Sequence, residues 1–281
     1  MQVGPGLSAA RPFPGLRPFG YEDRDYFFGR EDQVYALYRM LDHSRFIAVI
    51  GSSGSGKSSL VRAGLLPLLQ EESDGSGGRD WRSLTFTPGD APIDRLADAL
   101  MTLAPEEHAP GDREIRRERI GFALRRSSFG LGEALDEIPN LAGKSLLVVV
   151  DQFEELFRFG GDRIGDSVWR DEAANFAQLL LEICRARSRS VYVLITMRSD
   201  FIGDCARFHG LPEAVSASQF LVPSLIRDQR EDIIRKPIEK AEATIEPALV
   251  QRLLNDVGDD LDELPVLQHC LSRLWERGGS W

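Results

Sequence analysis

The chain has 281 residues, enough for one large α/β domain and a smaller appended one. Hydrophobic residues make up 42% and charged residues 28%, and no apolar run approaches the ~18 residues needed to span a bilayer, so the composition points to a cytoplasmic protein with no membrane partner. A net charge of −10 disfavours long-range attraction to DNA or anionic lipid, and nucleic acid is not an expected partner.

Residues 1–20 are rich in Pro and Gly, contain no apolar signal segment, and read as an extended arm. A helix follows, with Val34, Leu37, Tyr38 and Leu41 at i, i+3, i+4 and i+7. Phe46 to Ile50 is a short apolar run that fits a buried strand. A second helix begins in the Gly/Ser segment after it and runs toward Gln70, where Pro67 is expected to kink or end it. Ser73 to Arg79 reads as a surface loop, Ser83 to Thr87 as a strand, and Ala91 to Glu137 as mainly helical. Within that stretch, Arg113 to Arg126 is a basic face expected to pair in part with Glu114 and Glu118. Ser145 to Val150 is apolar on both faces, as the middle of a parallel sheet requires. A helix over 174–187 and the strands Val191 to Thr196 and Gln219 to Val222 complete an open α/β sheet with helices on both faces. Three helices then follow without strands: Arg227 to Ala241, Pro247 to Val257, and Pro265 to Arg277, the last two opening on a proline. Cys184, Cys205 and Cys270 share no metal-ligand spacing and are expected to be reduced, buried thiols.

The segment Gly51-Ser52-Ser53-Gly54-Ser55-Gly56-Lys57-Ser58-Ser59 satisfies G-x-x-x-x-G-K-[ST] between an apolar strand and a helix. In that setting successive backbone N–H groups and the helix N-terminus converge on one anion, here the phosphates of ATP or a related nucleotide. Glycines at 51, 54 and 56 are expected to take positive φ and let the backbone approach the phosphates. Lys57 supplies a charge for the β- and γ-phosphates, and Ser58 an oxygen ligand for Mg²⁺. Asp151, directly after an apolar strand, is the expected second holder of the metal. Gln152 cannot remove a proton, so a general base has to come from Glu154 or Glu155. Arg198 emerges at the C-terminal edge of the sheet, where it either reaches a γ-phosphate or pairs with Asp200 or Asp204.

Together, PFPGLRPF from Pro12, FFGRE from Phe27, SLVRAGLLP after the phosphate loop, VVVDQFEELF from Val148, ITMRSDF from Ile195 and ELPVLQHCLSRLWE from Glu263 resemble the STAND class of signal-transduction ATPases, in particular the prokaryotic novel STAND NTPases. The resemblance implies a sheet of strand order 5-1-4-3-2, and the apolar stripes of the last helices, Leu249, Leu253 and Val257 on one and Leu267, Leu271 and Trp275 on the other, suggest a small helical lid. The resemblance also implies an ATP/ADP-operated switch in signalling or defence, slow hydrolysis, and self-association on activation. It places Gly29 and Arg30 near the adenine, makes Arg198 a sensor arginine, and puts Pro265 where a proline closes on the base, although the usual G-x-P reads Glu263-Leu264-Pro265 here. The expected division is an arm over 1–26, a P-loop domain over 27–222 and a lid over 223–281. Sensor and effector domains would belong to a longer parent chain.

Overall fold

A computed structural model of the protein describes residues 11–75, 78–105, 111–162, 167–186, 188–256 and 263–277. The ends of several expected segments, Val257 and Arg187 among them, lie outside the described residues. In chain order the elements are α1 (Glu31–Met40), β1 (Phe46–Gly51), α2 (Lys57–Ser59), a π-helical turn (Leu60–Leu65), α3 (Leu66–Asp74), β2 (Trp81–Phe86), α4 (Pro92–Met101), α5 (Asp112–Arg126) and α6 (Gly130–Asp136). They continue as β3 (Ser145–Val150), α7 (Glu155–Asp162), α8 (Ser167–Arg185), β4 (Val191–Arg198), α9 (Leu211–Ala217), β5 (Gln219–Leu221), α10 (Arg227–Lys240), α11 (Pro247–Asp256) and α12 (Glu263–Glu276). Two compact units result, one from 39–50 and 69–221, the other from 1–38, 51–68 and 222–281.

The first unit is built on a five-stranded parallel sheet of order β2-β3-β4-β1-β5, the expected 5-1-4-3-2 read from the other edge. β3 lies between β2 and β4, and its Val148 sits opposite Leu84 on one side and Val193 on the other. β1 and β3 are buried along their whole length, which is why their sequences are continuous apolar runs rather than alternating ones. β5 is a three-residue edge strand, and its Gln219 and Leu221 are exposed. One hydrophobic core joins the sheet to α4, α5, α6 and α8 through Leu96, Leu100, Ile120, Leu131, Phe176 and Leu180.

Four arginines of α5 pair with carboxylates on or just past the neighbouring helices. Arg117 donates to Asp98 at 2.8 Å and to Asp94 at 3.1 Å, and Arg125 donates to Asp94 at 2.6 Å. Arg119 and Arg126 lie against Glu137 and Glu133. The reason is geometric: side chains on the α5 face turned toward α4 and α6 meet carboxylates there. Burial alone would raise the Asp94 carboxyl, but the hydrogen bonds and charges of Arg125 and Arg117 more than offset it and hold it below its ordinary value. A depressed carboxyl stabilises the fold above its unfolded value, and that contribution is lost as pH falls through the folded value. Asp94→Asn is therefore expected to lower stability at pH 7 by ~0.5 to 1 kcal/mol after solvent screening, read as a lower melting temperature. The gap from the parent should close as pH falls below the carboxylate range; a gap independent of pH would reject this account.

The second unit holds the phosphate loop and the C-terminal helices. Its core gathers Phe13, Ile233, Ile234, Val250, Leu254, Leu267 and Leu271. Phe13 meets Trp275 edge-on at 6.4 Å, Phe19 meets Phe27 at 5.6 Å, and residues 21–26 form a 3-10 turn. The segment 11–26 is thus packed into this unit instead of extending from it, because its phenylalanines supply apolar area that the Pro/Gly content hides. Pro67 does not end the helix after the loop. The π-helical turn Leu60–Leu65 widens the backbone just before it, which accommodates a ring and a missing N–H, and α3 continues to Asp74. Pro247 opens α11 as expected, whereas Pro265 is the third residue of α12.

Candidate nucleotide site

β1 ends at Gly51, and the loop from Ser52 to Gly56 turns the chain into α2. Gly54 and Gly56 have φ of 71° and 87°, where only glycine is unstrained. Gly51 does not take positive φ; a Cβ there would stand 2.7 Å from Ser55 Oγ, so its glycine is required by closeness rather than by backbone angle. This cradle of glycines before a helix fits a phosphate group. Lys57 is buried, and its Nζ donates to the carbonyls of Gly51 at 3.0 Å and Ser52 at 2.6 Å. Ser58 is half-buried at the helix start, and Ser53 is exposed. Ser59 is buried, and its hydroxyl accepts the Phe19 N–H at 3.0 Å.

Arg30 has a role that its position in the sequence does not announce. The residue is 5% exposed, and its guanidinium donates to the carbonyls of Pro223 at 2.7 Å and Ser55 at 3.2 Å. Burial lowers its pKa to about 10, still far above neutrality, so a full positive charge sits beside the loop. Gly29, with φ of 77°, lets the chain pass close under α10, because a Cβ would meet the Gln229 carbonyl at 2.8 Å. Pro265, half-buried, lies in the first turn of α12, and Leu264 beside it reaches to 3.8 Å from where a Gly56 Cβ would be.

The remaining expected residues lie in the sheet unit, at the C-terminal ends of β3 and β4. Asp151 is 1% exposed and accepts the Thr196 hydroxyl at 2.5 Å. Gln152 has φ of 56°, a left-handed conformation uncommon for this residue type, and its N–H donates to Thr196 Oγ1 at 2.9 Å. Thr196 therefore ties the two strand ends together. In the sequence it reads only as the end of a strand; a lone polar residue closing an apolar run, two before Arg198, is the available signal. Glu154 is buried, and its carboxylate accepts the Arg198 N–H at 3.4 Å. Glu155 accepts the Gly89 N–H at 2.9 Å, anchoring the loop after β2. Arg198 donates to both carboxylate oxygens of Asp200, at 3.1 and 2.6 Å, which is the ion pair weighed above against a phosphate contact.

All three cysteines are free thiols, Cys205 buried and the others half-buried. Burial pushes Cys184 up to about 12 and Cys205 up to about 11, so both stay protonated and unreactive at neutral pH.

The profile of the family described as Novel STAND NTPase 1 matches residues 12–280. The chain belongs to this family. It is a nucleotide-binding NTPase by that membership. Among solved structures, this novel STAND NTPase is similar to the Aeropyrum pernix ORC1 protein in complex with DNA, with a TM-score of 0.58 and 16% identity over 93% of this chain and 63% of that one. It is also similar to the Walker-type ATPase paby2304 of Pyrococcus abyssi, at a TM-score of 0.56 and 16% identity over 92% of this chain and 71% of that one. The A. pernix ORC2 protein in ADPNP-ADP complexes follows at 0.55 and 15%, over 88% and 68%. At such identities the likeness is one of fold. The chain spans 63% of the length of the ORC1 chain. A comparison with curated protein sequences gives no match. Among the described residues, no helix is long and apolar enough to cross a membrane.

Proposed function

We propose that this novel STAND NTPase is an ATP/ADP-operated switch that hydrolyses ATP slowly and couples the bound nucleotide to its C-terminal helices. The observation that carries this reading is Arg30, whose guanidinium joins the phosphate-loop carbonyl of Ser55 to the carbonyl of Pro223, at the entrance to α10. A change in the loop on binding phosphate then bears on the segment that leads into the lid. In this reading Gly51 to Ser59 bind the phosphates, Lys57 neutralises their charge, and Ser58 and Asp151 hold Mg²⁺. The metal would polarise the γ-phosphate. Glu154 takes the proton of the attacking water as the bond from the γ-phosphorus to the ADP oxygen breaks. Glu155, already engaged by Gly89, has a structural role. Arg198 would exchange Asp200 for the γ-phosphate, and Pro265 would close on the adenine.

Self-association on activation, and sensor and effector domains in a longer parent chain, extend the same reading. DNA is a separate question, because the ORC1 neighbour was solved with DNA. The acidic balance and the pairing of Arg117, Arg119, Arg125 and Arg126 with carboxylates both weigh against a DNA surface here.

Mass spectrometry of the purified protein together with a turnover assay tests the switch. The expected result is retained ADP, slow hydrolysis unaffected by duplex DNA, and slower hydrogen exchange in α11 and α12 when ADP is bound. Rapid turnover stimulated by DNA would replace the switch with a cycling motor, and identical exchange with and without ADP would remove the lid.

A further inference from the structure

Gln268 lies in the middle of α12 on the stripe formed by Leu264, Leu267, Gln268 and Leu271, whose spacing of three and four residues places them on one face of the helix. The residue is 8% exposed, yet among the described residues its side-chain carbonyl has no hydrogen-bond donor. A buried carbonyl without a donor forfeits its hydration with nothing in return, so its partner has to be sought in a group that binds there. Leu264, one turn earlier on the same stripe, comes within 3.8 Å of the position a Gly56 Cβ would take. The face that carries the unpaired carbonyl therefore starts at the phosphate loop.

We infer that Gln268 is a base-reading residue, its Oε1 accepting a hydrogen bond from the 6-amino group of adenine. The inference rests on the nucleotide reading above and deepens it by naming a residue that would read the base. Adenine offers an N–H donor at position 6, whereas a 6-oxo purine offers an acceptor, which would set two oxygens against each other. A site that leaves a buried polar group unpaired discriminates strongly against the ligand lacking its partner. Rotation of the amide would present Nε2 instead and would favour the 6-oxo base, so the comparison of the two bases reads the orientation directly.

The test is a calorimetric titration of the full chain, with Mg²⁺, against ADP, inosine diphosphate and inorganic tripolyphosphate. ADP and inosine diphosphate share the same sugar and phosphates and differ in the base at position 6 and in the proton on the adjoining N1. The parent is expected to bind ADP about tenfold more tightly than inosine diphosphate. In Gln268→Leu the ADP affinity should fall to the level of inosine diphosphate, tripolyphosphate affinity should be unchanged, and the ligand-free melting temperature should not drop. Should Gln268→Leu fail to fold, Gln268→Met carries the same comparison. A ratio of ADP to inosine diphosphate affinity that is the same in parent and variant, or a parent that prefers inosine diphosphate, overturns the inference while leaving phosphate binding intact. A parent that binds neither ADP nor tripolyphosphate overturns the nucleotide reading, and this inference falls with it.

Discussion

With ADP and Mg²⁺ in excess, the melting temperature of the parent chain rises by on the order of 10 °C, and that of Lys57→Ala does not move. The size follows from linkage: a ligand at ~1,000 times its Kd that binds only the folded state adds about 4 kcal/mol of apparent stability. Lys57 Nζ already donates to the Gly51 and Ser52 carbonyls, so the substitution also perturbs the ligand-free loop. The decisive quantity is accordingly the ligand-induced shift within each protein, not the difference between their unliganded melting temperatures. Equal shifts in parent and variant would remove Lys57 and its loop from the phosphate site.

Glu154→Gln should lower turnover by about 10²- to 10⁴-fold while leaving ADP affinity within a few-fold of the parent. An amide keeps the shape of the carboxylate and can no longer take a proton. Glu155→Gln provides the contrast, since Glu155 is engaged by the Gly89 N–H; its expected effect is a lower melting temperature with turnover largely kept. Asp151→Asn separates metal holding from both, weakening Mg²⁺-dependent binding. If Glu155→Gln stops turnover and Glu154→Gln does not, the two glutamates exchange roles.

The phosphate loop is legible in the sequence because its chemistry needs fixed residue types at fixed spacing, and the buried strands are legible because β1 and β3 are apolar on both faces. The order of the strands comes from family resemblance, since periodicity carries no information about which strands lie side by side. Long-range pairing is the hidden part. Arg30 finds its partners 25 and 193 residues away, and nothing in the local sequence of Gly29 and Arg30 points to either. The arginines of α5 pose the same difficulty at shorter range, because Glu114 and Glu118 are close in sequence while Asp94, Asp98, Glu133 and Glu137 are close in space. Thr196 and Gln268 are inconspicuous for a shared reason: each is one polar residue in an apolar pattern, and a pattern tolerates one exception without changing its period.

The path of the chain through the second unit has a consequence for biosynthesis. Phe13 packs on Trp275 and Arg30 donates to Pro223, so residues made early must wait for partners made much later. At ~5 to 20 residues per second that wait exceeds about 10 s. During it the sheet unit, whose residues all precede 222, can assemble. The phosphate loop, though made early, gains the Pro223 end of its Arg30 bridge only after the sheet has been synthesised, so the coupling proposed above cannot operate in a nascent chain before Pro223 exists.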